Sequence, residues 1–228
     1  MRFEVALLIT LAAGSVALAK DKTKTAQRLD DAADVMKEIM DTSDKGIPQD
    51  LLNKSQCIVI VPGLKKGAFI LGGKYGKGFV SCRKEGGEGW TAPGTVRVEG
   101  GSVGFQIGGS ESDVVLLVMN ERGMKKLLTS KFTLGAEGEV AAGPVGRDAT
   151  AQTDALMHAE MLSWSRSRGV FAGISLQGAT LREDLDDNKE IYGKAYGNEE
   201  ILQGKVPAPE AAAKLNSLLD KYSPKKVS

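Results

Sequence analysis

Residues 55–83 read SQCIVIVPGLKKGAFILGGKYGKGFVSCR, and no other stretch constrains the fold as tightly. Apolar runs at 57–61 and 68–71 and a third ending at Cys82 are rich in Val, Ile and Phe. Pro62-Gly63, Gly72-Gly73 and Tyr75-Gly76-Lys77-Gly78 separate them. Short runs of this composition, punctuated by Gly and Pro, read as β-strands joined by tight turns. The stretch therefore predicts a small antiparallel meander with the turn after Val61 at one end and the Gly72-Gly73 turn at the other. Its turns are cationic, carrying Lys65, Lys66, Lys74 and Lys77, with Arg83 at the close. It holds no nucleophile–base pair and no cluster of metal ligands, so we expect no catalytic residue, no metal and no cofactor. Lysines beside Phe69, Tyr75 and Phe79 suit an anionic membrane surface, where cationic side chains meet headgroups and aromatic tips enter the interface.

The N-terminus reads as an export signal. Arg2 is basic, residues 5–18 are apolar and small, and Ala17-Leu18-Ala19 fits the small-x-small cleavage pattern before Lys20. A membrane anchor is the competing reading, and the run falls short of the roughly 20 residues a spanning helix needs. Export to a periplasmic or envelope compartment follows, with peripheral contact to the membrane. In such a compartment the chain's two cysteines, Cys57 and Cys82, can be a disulfide between neighbouring strands or two buried thiols; we expect the disulfide. A formal charge of +1 argues against bulk nucleic-acid binding. Twenty-eight glycines against six Phe, four Tyr and two Trp favour a turn-rich β core over a helical bundle.

Residues 22–45 predict an amphipathic helix, with Ala26, Leu29, Ala33, Met36 and Met40 at spacings of three and four. Its polar face carries Asp30, Asp31, Asp34, Glu38 and Asp41, which anionic lipid would repel, so it is expected to pack on the sheet. Residues 48–53 predict a further helical turn, 95–99, 102–107 and 113–119 strands, 122–128 a short helix, and 209–222 a final helix. The single histidine, His158, has no Gly-x-Ser-x-Gly elbow to serve. Asp184, Asp186, Asp187, Asn188 and Glu190 fail the calcium-loop spacing, because Lys189 and Ala195 stand where Gly and Glu are needed, and they read as a solvated acidic turn.

Four segments, in this order, carry a family resemblance: VPGLKKGAFILGGKYGKGFVSCR (61–83), GPVGRDATAQTDA (143–155), SWSRSRGVFAGISLQGATL (163–181) and DNKEIYG (187–193). Together the chain resembles the SYLF domain, a lipid-binding domain found alone in bacteria and beside SH3 or FYVE modules in eukaryotes. The resemblance implies phosphoinositide or other anionic-lipid binding, actin-regulator association in fungal members, and no enzyme activity. The resemblance covers a SYLF-like domain (47–193), and the patterns read above add a signal peptide (1–19), an N-terminal helix (20–46) and a C-terminal helix and tail (194–228). We expect an α+β fold, a strongly twisted antiparallel sheet or partly closed β-barrel with flanking N- and C-terminal helices. The expected lipid contacts are Lys65, Lys66, Lys74, Tyr75, Lys77 and Arg83, aided by Arg147, Arg166 or Arg168. The alternative is an envelope protein-interaction or scaffold domain whose basic turns are merely solvated.

Overall fold

The computed structural model describes residues 22–42, 46–69, 71–103, 108–145, 159–167, 170–173 and 176–226. The expected signal peptide, Arg147, His158 and Arg168 lie outside the described residues.

At the centre is one long hairpin of β1 (Cys57–Phe69) and β2 (Leu71–Cys82). Strand β3 (Gly94–Val103) pairs with β2, and β4 (Gly108–Val118) pairs with β1, both antiparallel. Shorter strands extend the sheet: β5 (Lys131–Thr133), β6 (Val140–Ala142), β7 (Met161–Ser167), β8 (Val170–Gly173) and β9 (Thr180–Glu183). The strand order is β5-β9-β3-β2-β1-β4-β7-β6, with β8 on β7. Among the described residues every strand pairing is antiparallel except β6 with β7, which is parallel, so the sheet is mixed where an antiparallel one was expected. Phe132 of β5 and Val140 of β6, from opposite ends of that order, share one core cluster, and Leu134 bridges Gly138 between them. The sheet thus curls into a half-barrel, and the expected α+β architecture with flanking helices is what the chain adopts.

Both faces of the central strands are buried. Ile58, Ile60, Phe79, Val115, Leu117 and Trp164 point to the helical layer. Cys57, Val59, Val61, Val80, Val96 and Leu116 point into the half-barrel. Alternate residues of a strand face opposite ways, so a strand covered on both sides reads as the unbroken apolar run seen in CIVIV. Cys57 lies opposite Cys82 in the β1–β2 register, and their sulfurs are bonded at 2.07 Å on the inner side.

Pro62-Gly63 does not end a strand. It forms a bulge inside β1, where the register slips by one residue between Ile60 and Lys65. Gly63 sits at φ +60°, and its N–H donates to the Asp113 carboxylate at 2.9 Å. The bulge presses on β2 where β2 has no side chains: a Cβ on Gly76 would lie 2.8 Å from Val61 and Leu64, and one on Gly78 would lie 2.1 Å from the Ile60 carbonyl oxygen. Gly76 and Gly78, read as turn residues, are therefore clearance for the bulge; Gly72-Gly73 is paired with Gly67 and Ala68 inside β2 instead of making a turn, and the three-run meander is one two-stranded hairpin.

Helix α1 (Lys24–Asp41) begins at Thr23, whose hydroxyl accepts from the Ala26 N–H. It buries Leu29, Ala32, Ala33, Met36 and Ile39 against the outer face of the sheet. Helices α2 (Gln49–Lys54), α3 (Glu121–Leu127), α4 (Leu185–Tyr192), α5 (Asn198–Leu202) and α6 (Ala213–Tyr222) follow. A 3-10 turn, Glu210–Ala212, leads into α6, shortening the single helix expected over 209–222. The largest departure is at 184–192. What read as a solvated acidic turn is α4, capped by the Asp184 side chain and stopped by Gly193 at φ +72°.

Candidate functional site

Strand β9 pairs with β3 only as far as Glu99, and β7 pairs with β4 only from Asp113 onward. Beyond those points, among the described residues, β3-β2-β1-β4 runs on as a four-stranded extension. Its register sets the side chains in rungs. The first, at the barrel's edge, holds Glu99, Tyr75, Lys65 and Glu111. The second holds Gly100, Lys74, Lys66 and Ser110. The third is glycine on all four strands: Gly101, Gly73, Gly67 and Gly109. At the far end of the extension Phe69 pairs with Leu71, and Leu71 with Val103.

Strand alternation decides which lysines share a face. Gly76 and Gly78 abut the inner-side residues and bulge of β1, so Lys74, two residues on, and its partner Lys66 lie on the inner side, at the mouth of the half-barrel. Tyr75 and Lys65 lie on the outer side with Phe79. Lys65 has Glu111 opposite it on β4. Lys66 and Lys74 have only Ser110 and Gly100 beside them, and neither makes an ion pair among the described residues. Like charges set directly opposite in a sheet repel. Partial burial, with the Lys66 charge added, holds the Lys74 ammonium below its ordinary pKa. Tyr75 is 48% exposed. The pair thus makes a half-buried positive spot that gains by meeting an anion.

The register joins Lys65, Lys66, Lys74 and Tyr75 at one end of one hairpin. The two other expected contacts are placed differently. The Lys77 ammonium lies 2.8 Å from both Asp184 and Asp187, the start of α4, and Arg28 of α1 binds Asp187 at 2.7 Å. Burial alone would lower the Lys77 pKa; the two carboxylates outweigh it and hold the ammonium above its usual range. Lys77 is thus a clasp between β2 and α4. Arg83 is 8% exposed at the opposite end of the hairpin, with its guanidinium 3.9 Å over the Trp90 ring. It donates to the carbonyls of Leu52, Ser55 and Ser223, and burial pushes its pKa down to about 10. Phe79 is buried, and Arg166 pairs with Asp113 and Glu38, so neither joins the rung.

The network around α4 escaped the sequence reading. Asn188, fully buried, accepts from the Thr95 N–H and hydroxyl and donates to the Tyr196 carbonyl and the Asn198 side chain. This accounts for the DNKEIYG segment as a structural lock. A signal was present: Asp184 before Leu185 and Gly193 after Tyr192 are a helix start and stop.

Comparison with known proteins places the chain. Residues 99–222 match the Ysc84 family, described as Las17-binding protein actin regulator. The SH3 domain-containing YSC84-like protein 1 of Xenopus laevis is 34% identical over 204 residues, 85% of this chain and 59% of that protein. Its human counterpart is 31% identical over 200 residues, 85% and 58% respectively. Protein YSC84 of Saccharomyces cerevisiae is 32% identical over 183 residues, 78% and 38%. The chain belongs to the Ysc84, or SYLF, family. It spans little more than half the length of the vertebrate relatives it matches.

Proposed function

We propose that this chain is a non-catalytic binder of anionic membrane lipids, gripping phosphate-bearing headgroups through Lys66 and Lys74. The observation that carries the reading is their direct opposition in the β1–β2 register without a carboxylate in the rung. Lys65 and Tyr75 support the contact from the outer face. The ends of these strands lie beyond the lysines in the register. The apolar leader and Ala17-Leu18-Ala19 fit an exported protein that meets its membrane in the cell envelope. Among the described residues no helix is long and apolar enough to cross a membrane, and peripheral docking requires none.

Vesicle sedimentation tests the reading. Each lysine at an anionic surface contributes about 1 kcal/mol, so Lys66→Glu with Lys74→Glu should weaken binding to phosphatidylglycerol vesicles by about 2 kcal/mol, roughly thirtyfold, at low salt. The loss should shrink as salt rises. Unchanged affinity in the folded double variant sinks the site, and absence of salt-sensitive binding in the parent favours the protein-interaction alternative.

A further inference from the structure

The opposite end of the central hairpin carries a second basic feature. A cleft of about 810 Å³ opens where β2 ends, floored by Cys82, Met124, Leu128 and Leu202. Lys84, Lys205 and Lys226 line it, from three segments remote in sequence: the 84–89 loop, the turn after α5 and the C-terminal tail. None of the three makes an ion pair among the described residues. Glu85 is the one carboxylate among the lining residues, and Asp220 lies near Lys84 behind Gly89. Glu88 of the same loop pairs with Lys225 at 3.1 Å.

The rim is held in place. The Lys226 N–H donates to the Gly87 carbonyl at 2.8 Å, and the Gly89 N–H donates to the Pro224 carbonyl at 2.7 Å, so the tail is laced to the loop. Gly86, Gly87 and Gly89 all sit at positive φ, which bends the loop around the cleft. The Lys205 N–H is bonded to the Glu200 carbonyl, fixing the third lysine's backbone. Among the described hydrogen bonds the amides of Glu85 and Gly86 donate to none, leaving two further donors in the loop. An isolated surface lysine needs no partner. Three on the rim of one cleft, with two solvent-facing loop amides beside them, offer a multiply charged anion several donors at once.

We propose that this cleft is a phosphate-ester site, distinct from the Lys66–Lys74 rung and independent of it. Lysine ammoniums neutralise a doubly charged phosphate as point charges, the loop amides supply hydrogen bonds, and Met124, Leu128 and Leu202 accept the carbon body of the ester. Ten residues of β1 separate Cys57 from Gly67, about 30 Å of strand, so a flat bilayer touching the rung does not touch the cleft. The ester is either a soluble metabolite or a headgroup presented by a second surface.

Calorimetric titration of the full chain with glycerol 3-phosphate, and sedimentation with vesicles containing phosphatidic acid, separate these sources. The variants are the triple Lys84→Ala, Lys205→Ala, Lys226→Ala and the rung double Lys66→Ala, Lys74→Ala. Binding of free glycerol 3-phosphate, weakened at least tenfold in the triple and unchanged in the rung double, establishes a soluble ester as ligand. Phosphatidic acid binding that persists in the rung double and is lost in the triple establishes a headgroup. If neither ligand loses affinity in the triple, or the parent binds neither, the site is overturned. Should the triple fail to fold, the single Lys205→Gln variant, on an exposed side chain, replaces it with the same criteria.

Discussion

Gly78→Val should abolish the folded protein or cost about 3 kcal/mol or more, the upper range for overpacking a filled core. The reason is local. A Cβ at Gly78 would lie 2.1 Å from the Ile60 carbonyl oxygen and 2.8 Å from the Val61 Cα, and both obstacles are backbone. To make room, the Pro62-Gly63 bulge would have to retreat from β2, taking with it the Gly63 bond to Asp113. Gly67 is the control. A Cβ there meets nothing within 4 Å, so Gly67→Val should change stability by no more than about 0.5 kcal/mol. Thermal or urea unfolding of the pair reads the contrast directly. Equal stabilities for the two variants would show that the bulge does not lean on Gly78.

Arg83→Met should cost about 3 kcal/mol in urea unfolding while leaving vesicle affinity unchanged. Arg83 ties the end of α2, through the Leu52 and Ser55 carbonyls, to Ser223 after α6, and it stacks on Trp90. Methionine fills the volume but leaves buried carbonyls without donors, each worth about 1–3 kcal/mol when unsatisfied. The Trp90 N–H still reaches the Ser223 carbonyl at 2.9 Å, which limits the loss. Arg83→Lys should recover only part of it, because an ammonium lacks the planar fork that reaches several acceptors at once. A folded Arg83→Met variant that no longer binds vesicles would return Arg83 to the lipid contact expected of it in the sequence.

What the sequence disclosed followed the range of the interactions. The α1 stripe, the apolar runs of β1 and β4 and the Cys57–Cys82 pairing were legible because each depends on neighbours in the chain or on composition. Tertiary context decided the rest. Pro62-Gly63 looks like a turn until Gly76 and Gly78 of the partner strand are known to give it clearance. Lys77 resembles Lys74 in sequence, both beside a glycine, yet α4 arrives from more than a hundred residues away to claim it through Asp184 and Asp187. The same long connection turned an acidic run into a helix start. The opposition of Lys66 and Lys74 needs the bulge's one-residue slip, which no local pattern announces. For the cleft, Lys84, Lys205 and Lys226 are too scattered to stand out before the tail is laced to the loop.

A placed tryptophan measures most directly whether the Lys66–Lys74 end of the half-barrel faces the membrane, as proposed. The two native tryptophans, Trp90 and Trp164, are 2% and 0% exposed, so an introduced one reports its own surroundings. Tyr75→Trp puts the reporter beside the rung, and Glu200→Trp puts it on exposed α5 at the other end. With phosphatidylglycerol vesicles bearing brominated acyl chains, the reporter emission of the Tyr75→Trp variant should shift to the blue and be quenched. That of the Glu200→Trp variant should stay as it is in buffer. Quenching in the Glu200→Trp variant, with the Tyr75→Trp variant unaffected, would show that the protein docks by its opposite end, and would contradict the account.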